Sequence, residues 1–312
     1  MLNKRLLHIA ILAVLFSSCS RSKNQHISFS GAFALYPLTI KWGDEYNKKH
    51  EHLRFDVQAG GAGKGMADAL SNAVDVGMFS REITEVEKQK GVWWISLTQD
   101  AVFPTVSSEN PFIDSIRAKG LTKDQFKAIF VDQSIKTWKE IYAPTAKDAS
   151  KITAYTRSDA SGAADSWAAF FGKKQEDLKG VGIFGDPGLA DAVIKDKNSI
   201  GFNNTLYIYD LKSGKKHPGI EIIPIDLNGN GKIEPEENFY QDLPTILNAI
   251  HDRRYPAPPV RELYYISKGK PQRKEVVDFI KWVLSDGQQY VAESGFVPLS
   301  KERVQEELKK LN

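Results

Sequence analysis

The chain of 312 residues has little cysteine, little net charge and few long apolar runs, and each scarcity excludes a class of protein. Its single cysteine excludes a disulfide framework within the chain. The formal net charge of +3 provides no basic stripe for nucleic acid, so we expect no nucleic-acid partner. After the first 18 residues, no apolar run approaches the roughly 20 residues that a membrane-spanning helix needs. The composition, 41% hydrophobic and 26% charged, is typical of a soluble globular protein.

Motifs of common enzyme classes are also lacking. The six histidines form no H-E-x-x-H motif, and no G-x-S-x-G nucleophile elbow occurs. The stretch AGGAGKGM at 59–66 is similar to a phosphate-binding P-loop, but Gly65 follows Lys64 where that loop needs Ser or Thr, and Gln58 replaces its first glycine. Ser161 has no base near it in the sequence that would make it a nucleophile. We therefore expect neither an enzyme nor a catalytic cofactor.

The N-terminus has the layout of an export signal. Residues 1–18 carry Lys4 and Arg5 and then a short apolar stretch, which is typical of a signal that is removed after export. The lone Cys19 follows two serines and resembles the cysteine of a bacterial lipobox, which is acylated and becomes the mature N-terminus. We expect an exported periplasmic or cell-surface lipoprotein, with residues 19–26 as a lipidated tether and no other membrane attachment. The alternative is a cleaved signal followed by an incidental thiol.

Strand and helix patterns alternate in the first part of the chain. Leu38, Trp42 and Tyr46 recur at helical spacing after Pro37, while neighbouring segments alternate apolar and polar residues as strands do. Strands separated by helices imply crossover connections and a mostly parallel sheet, so we predict an α/β fold. The predicted elements are strands at 26–31, 53–58 and 73–78 and helices at 37–50 and 65–72.

Four small, glycine- or serine-bearing loops follow strand patterns and precede helix patterns, at 30–37, 59–66, 78–82 and 156–167. In parallel sheets, ligands bind where strands end and helices begin. The free N–H groups of a helix N-terminus favour an anion. The sequence therefore predicts a site for a small oxyanion.

The same loops resemble those of a known family, the phosphate-binding proteins of high-affinity phosphate ABC importers, which are type II periplasmic substrate-binding proteins. The similar segments are SGAFALYPL, VQAGGAGKG, VDVGMFSRE and RSDASGAADSWAAF, together with IGFNN, RELYYISKGKP and VLSDGQQYVAESGFVPLS. The resemblance implies a type II periplasmic-binding-protein fold, with two α/β lobes and a ligand cleft between them. It places lobe I at 27–103 and 257–312 and lobe II at 104–256.

The resemblance also implies a function and a set of site residues. The function is capture of phosphate, or a related oxyanion, and delivery to the permease and ATPase subunits of an ABC importer. The alternative is a surface sensor or scavenger that binds a different anion. Hydroxyl residues of the family are replaced here by Ala32, Phe33, Ala62 and Ala163. The expected ligand-binding residues are Phe33, Ala34, Ala62, Gly63, Ser80, Arg81, Arg157, Ser161, Gly162 and Ala163.

Two of these residues have competing interpretations. Arg157 is the expected principal ligand, because a planar guanidinium binds two anion oxygens at once. Alternatively, Arg157 would have a structural role, with its guanidinium paired to Asp159 or another acid. Arg81 either adds a second charge to the site or pairs with Glu82 or Glu85.

A second motif, DLNGNGKIEPEE at 226–237, follows the pattern of a twelve-residue calcium loop. Its glycine at the sixth position, Gly231, allows the sharp bend of such a loop. We expect a structural calcium site, and the alternative is a plain Asn-Gly turn. The expected ligands are Asp226, Asn228, Asn230, the carbonyl of Lys232, and Glu237.

Overall fold

The computed structural model describes residues 25–50, 53–144 and 151–312. The predicted export signal at 1–18 and the lipidation site Cys19 lie outside these ranges. None of the helices within them is both long and apolar enough to span a bilayer.

The first elements confirm the predicted alternation of strands and helices. Pro37 lies in the first turn of α1, where its missing N–H is not needed. Helix α2 begins at Ala62, three residues before the predicted start, because Gly61 adopts a positive φ of 90° and ends the preceding loop. These elements are β1 (Gln25–Gly31), α1 (Tyr36–Asn47), β2 (Leu53–Ala59), α2 (Ala62–Leu70), β3 (Val76–Phe79), α3 (Glu85–Gln89) and β4 (Val92–Ser107).

The remaining elements continue the α/β pattern. The middle of the chain forms α4 (Ile113–Lys119), α5 (Lys123–Phe130), α6 (Trp138–Tyr142), β5 (Thr153–Arg157), α7 (Gly162–Phe170), β6 (Val181–Ile183), α8 (Gly185–Lys195), β7 (Ser199–Asn204), β8 (Ile220–Ile222) and α9 (Leu243–His251). The chain then forms β9 (Val260–Lys268), α10 (Lys274–Val283), β10 (Val297–Pro298) and α11 (Lys301–Lys309). Short 3-10 turns lie at Gln175–Asp177, Thr205–Tyr207, Asp286–Tyr290 and Ala292–Ser294.

The strands form one mixed sheet in the order β2-β1-β3-β9-β4-β7-β5-β6, with β8 and β10 also paired to β4. The pairs at the two ends are parallel, as expected for crossover units. The central strands β4 and β9 are antiparallel to their neighbours. This is the mixed α/β arrangement of two lobes joined by shared strands.

The buried apolar side chains fall into two cores, which define the lobes. The core of lobe I includes Phe29, Trp42 and Phe279, and the core of lobe II includes Phe103 and Trp167. Along β4, the last side chain of the first core is Leu97 and the first of the second core is Ala101. The predicted boundary at 103/104 lies further along the same strand, and the exact division into 27–103, 104–256 and 257–312 stays a prediction.

A buried ion pair links the two shared strands at this point. Asp100 of β4 faces Arg261 of β9 in the strand register. The guanidinium donates two hydrogen bonds to the carboxylate, Nε to Oδ1 at 2.7 Å and Nη2 to Oδ2 at 3.0 Å. Both residues are buried. Such a paired, desolvated charge fixes the geometry of the strands where the chain passes between lobes.

Candidate anion site between the lobes

The predicted loops of the two lobes meet in the structure. The amide N of Gly63, in the first turn of α2, donates to the carbonyl oxygen of Ala160 across the cleft at 3.0 Å. Nearby, Gly61 approaches Asp159 so closely that a Cβ on Gly61 would lie 2.6 Å from Oδ2 of Asp159. The start of α2 in lobe I therefore faces the loop between β5 and α7 in lobe II, and the cleft is closed at this point.

A second close approach involves Gly162 and Ser80. A Cβ on Gly162 would lie 2.7 Å from the carbonyl carbon of Ser80, and closer still to its carbonyl and hydroxyl oxygens. Only glycine allows the N-terminus of α7 to reach this loop of lobe I. The structure therefore brings Ser80, Gly162, Gly63 and Ala62 together.

Ser161 is the N-cap residue of α7. Its hydroxyl accepts hydrogen bonds from the amides of Ala163 at 3.1 Å and Ala164 at 3.3 Å, and its own amide donates to Oε1 of Gln175 at 2.9 Å. This is the usual role of serine before a helix. The Ala163 amide, expected as a ligand donor, is thus shared with the Ser161 side chain.

Arg157, at the end of β5, is fully buried and paired with Asp159. Its Nε donates to Oδ1 of Asp159 at 2.8 Å and its Nη2 donates to Oδ2 at 2.6 Å. The structure thus contains the carboxylate fork that the sequence left as an alternative. The third nitrogen, Nη1, does not donate to Asp159.

That nitrogen lies 2.9 Å from Oδ2 of Asp186, in the first turn of α8. The other oxygen of Asp186 accepts a hydrogen bond from Nδ2 of Asn204 at 2.9 Å. Burial raises the pKa of the Asp186 carboxyl, while the nearby Arg157 and Arg261 guanidinium groups act in the opposite direction. Sequence reasoning missed Asp186, because an acid after a glycine at a helix start has no distinctive spacing from Arg157.

Phe33 covers the same guanidinium. The centre of its ring lies 5.6 Å from Cζ of Arg157 and 5.9 Å from the Phe184 ring, which it meets edge-on at 85°. Phe33 and Ala34 lie in the turn that precedes α1. A phenyl ring over an arginine is favourable and restricts access to it. Phe33 therefore adds an apolar wall to the cleft.

Arg81 is held within lobe I. Its guanidinium donates to both carboxylate oxygens of Glu87, at 2.7 and 3.1 Å, and to the carbonyl of Glu82 at 2.9 Å. It also lies 4.6 Å from the centre of the Phe79 ring. The acid that pairs with Arg81 is therefore Glu87 and not Glu82 or Glu85. Glu87 completes a capping box with Thr84 at the start of α3.

The loop at 226–237 is ordered by its own acids and amides. Oδ2 of the buried Asp226 accepts from the Gly231 amide at 2.8 Å, and Oε1 of Glu237 accepts from the Leu227 amide at 2.8 Å. The carboxylate of Glu234 accepts from the side-chain amides of Asn228 and Asn230 at 3.0 Å each. Glu234 occupies the ninth position of the calcium pattern but is not among the ligands expected from the sequence. Over the three described ranges, no group of three or more His, Cys, Asp or Glu lies close enough to hold a metal ion.

The chain belongs to the PBP superfamily, whose domain model matches residues 18–287. This confirms the fold class expected from the sequence, a type II periplasmic-binding-protein fold.

Individual relatives agree with this assignment. The chain is 26% identical over 276 residues to the phosphate-binding protein PstS of Staphylococcus aureus. The match covers 86% of this chain and 76% of that protein. Its fold is similar to an ABC-type phosphate transport receptor from Vibrio cholerae, at a TM-score of 0.61 and 19% identity, covering 88% of this chain and 100% of the other. It is also similar to the structure of a protein from Clostridium perfringens that is assigned as a phosphate ABC transporter substrate-binding protein and was solved with bound phosphate. The TM-score is 0.70 and the identity 21%, and the match covers 88% of this chain and 100% of the other.

Proposed function

We propose that the chain is an extracytoplasmic solute-binding protein that captures phosphate, or a related oxyanion, between its lobes. The observation that carries the proposal is the meeting of loops from both lobes: the first turn of α2 contacts Ala160, the start of α7 contacts Ser80, and Phe33 of lobe I lies over the Arg157 guanidinium. Helix N-termini and a guanidinium are the groups that proteins use to bind small anions. The phosphate-binding and phosphate-transport proteins to which the chain is similar favour phosphate as the ligand.

Several side chains set this site apart from the family pattern. Ala62, Ala163 and Phe33 stand at positions where hydroxyls are expected to donate to phosphate. Each missing hydroxyl gives up about 1 kcal/mol of net hydrogen bonding. The Gly63 amide already donates to Ala160 and the Ala163 amide to Ser161. The other expected amides and Arg157 therefore provide most of the proposed binding, and an oxyanion other than phosphate is compatible with it.

The mechanism is binding and release without chemistry. A solute enters between the lobes, and the lobes then close about the segments that join them and exclude water. The closed protein then delivers its ligand to the permease and ATPase subunits of an ABC importer. Export through residues 1–18 and acylation of Cys19 would tether the protein at the membrane where that importer works.

A surface sensor or scavenger of a different anion is the alternative function. Phe33, which stands where the family pattern expects a hydroxyl, favours it because it and the neighbouring Phe184 ring add apolar surface. Genes for a permease and an ATPase beside the gene for this chain would support transport, and their absence would support sensing.

The variant Arg157→Lys tests the proposed ligand site. It keeps the positive charge, but a single ammonium group cannot both hold the two oxygens of Asp159 and present a further N–H to the ligand, so we expect phosphate affinity in calorimetry to fall by at least about tenfold. Arg117→Lys is the control, because the half-exposed Arg117 donates through Nε and Nη2 to one oxygen of Glu221, at 3.0 and 2.9 Å, in lobe II. Equal affinity of Arg157→Lys and the parent would refute the proposed site.

We also propose that the loop at 226–237 binds a structural calcium ion. The support is its complete calcium-loop pattern of oxygen-bearing residues, with Glu234 at the ninth position. Asp226 and Glu237 already converge on the amides of the same loop. The residues that would hold the ion are Asp226, Asn228, Asn230, Lys232 through its carbonyl, and Glu237.

A further inference from the structure

One nitrogen of the Arg157 guanidinium donates no hydrogen bond to Asp159. Asp159 takes up Nε and Nη2. The remaining nitrogen, Nη1, forms an ion pair with Asp186, 2.9 Å from its Oδ2, without the geometry of a hydrogen bond. Any anion that binds this guanidinium from the cleft must therefore displace the Asp186 carboxylate or share the nitrogen with it.

The charges at this point do not balance. The side chains of Arg157, Asp159 and Asp186 are 0%, 8% and 4% exposed. One buried guanidinium thus faces two buried carboxylates, and burial of an unbalanced charge is costly. An arriving dianion would make the imbalance worse unless one carboxylate lost its charge.

The groups around Asp186 come from every element packed near it. They are Arg157 at the end of β5, Asp159 in the following loop, Asn204 at the end of β7, Arg261 on β9 and Tyr207 in the adjoining 3-10 turn.

Arg261 is itself neutralised by Asp100 and also donates to Asn204 at 2.9 Å. Its Nη1 is buried and has no hydrogen-bond partner within the described residues. Burial raises the pKa of the Asp165 carboxyl in α7, while the Arg81 and Arg261 guanidinium groups act in the opposite direction. The surroundings therefore supply one arginine whose charge Asp100 already balances, and no spare positive charge for an arriving anion.

We propose that Asp186 links anion binding to proton uptake. It pairs with Nη1 of Arg157 in the free protein, takes up one proton when an oxyanion arrives, and yields that nitrogen to the ligand. This inference rests on the proposed function and makes Asp186 a specificity-determining residue of the same site. Affinity then rises as pH falls, by up to about tenfold per pH unit, because the bound state holds one more proton than the free state.

The experiment is calorimetry of the full chain with inorganic phosphate at about pH 8.5, in two buffers of different ionisation enthalpy. We expect the parent to take up about one proton per bound phosphate. Asp186→Asn should take up none and should bind at least about tenfold more tightly at this pH, since the competing charge is gone. Asp186→Ser, which keeps a hydroxyl that can accept from Asn204, should behave in the same way.

Asp191→Asn is the matched control. Asp191 is on the same helix, but it is exposed and paired with Lys195 at 2.7 Å, so this variant should keep the affinity and proton uptake of the parent. Binding by the parent without proton uptake, or uptake that persists in Asp186→Asn, would overturn the inference. Weaker binding by both Asp186 variants would also overturn it, because Asp186 would then orient Arg157 instead of competing for it. A parent that binds no phosphate at all would refute the proposed function itself.

Discussion

Gly162→Ala should prevent the lobes from closing while leaving each lobe folded. The added Cβ would lie 2.7 Å from the carbonyl carbon of Ser80, in the opposite lobe. Since non-bonded carbon atoms keep about 3.5 Å apart, the two loops must separate by about 1 Å. The obstacle is backbone, so a side-chain rotation cannot relieve it.

The expected cost follows from the contacts that this separation breaks. The hydrogen bond from the Gly63 amide to Ala160, now 3.0 Å, would lengthen beyond hydrogen-bond range. The first turn of α7 would also withdraw from a ligand shared with Arg157. Losing one neutral hydrogen bond and weakening one to a charged ligand costs about 3 kcal/mol, or roughly 100-fold in Kd.

The assay is phosphate titration by calorimetry, with thermal unfolding of the same sample. Gly162 is the first residue of α7 and the atoms nearest to the added Cβ all belong to Ser80 of the opposite lobe, so the melting temperature of the ligand-free variant should not fall. Gly188→Ala on α8 is the control, because its Cβ would meet a single methyl of Ile183, at 3.2 Å. If Gly162→Ala bound phosphate within about threefold of the parent, closure at this contact would not be part of binding.

Three further outcomes are expected. Asp100→Ala should lower the free energy of unfolding in urea by about 3–5 kcal/mol, because Arg261 would remain buried without its partner, and a loss below about 1 kcal/mol would contradict this. Excess EDTA should lower the melting temperature of the calcium-loaded parent but not that of Glu237→Gln, and an unchanged parent would favour a plain turn at 226–237. The parent should partition into the detergent phase of a Triton X-114 extract of bacterial cells and Cys19→Ser into the aqueous phase; equal partition would argue against acylation.

The local structure was largely predictable from the sequence. Alternating patterns predicted β1 and β2, and Pro37 marked the first turn of α1. The glycine and serine loops were identified from the sequence as a candidate anion site, and the structure brings two of them into contact at Gly63 and Ala160. These features depend on spacing within a few residues, which a sequence displays directly.

The pairings that complete the site were not predictable in the same way. Asp100 and Arg261 are 161 residues apart, and their pairing depends on the register of β4 and β9. Asp186 reaches Arg157 only because α8 begins beside the end of β5, and Glu87 pairs with Arg81 through the capping box of α3. Such contacts arise from tertiary packing, and single-sequence patterns carry no information on them.

The most direct test of the account is native mass spectrometry of the purified chain with an equimolar panel of phosphate, sulfate, molybdate and small carboxylates. The account predicts one retained phosphate, or one related oxyanion, per chain, and its loss in Arg157→Lys. Retention of a carboxylate alone, or of the same oxyanion by Arg157→Lys, would contradict the proposal that this guanidinium and the converging helix N-termini form an oxyanion site.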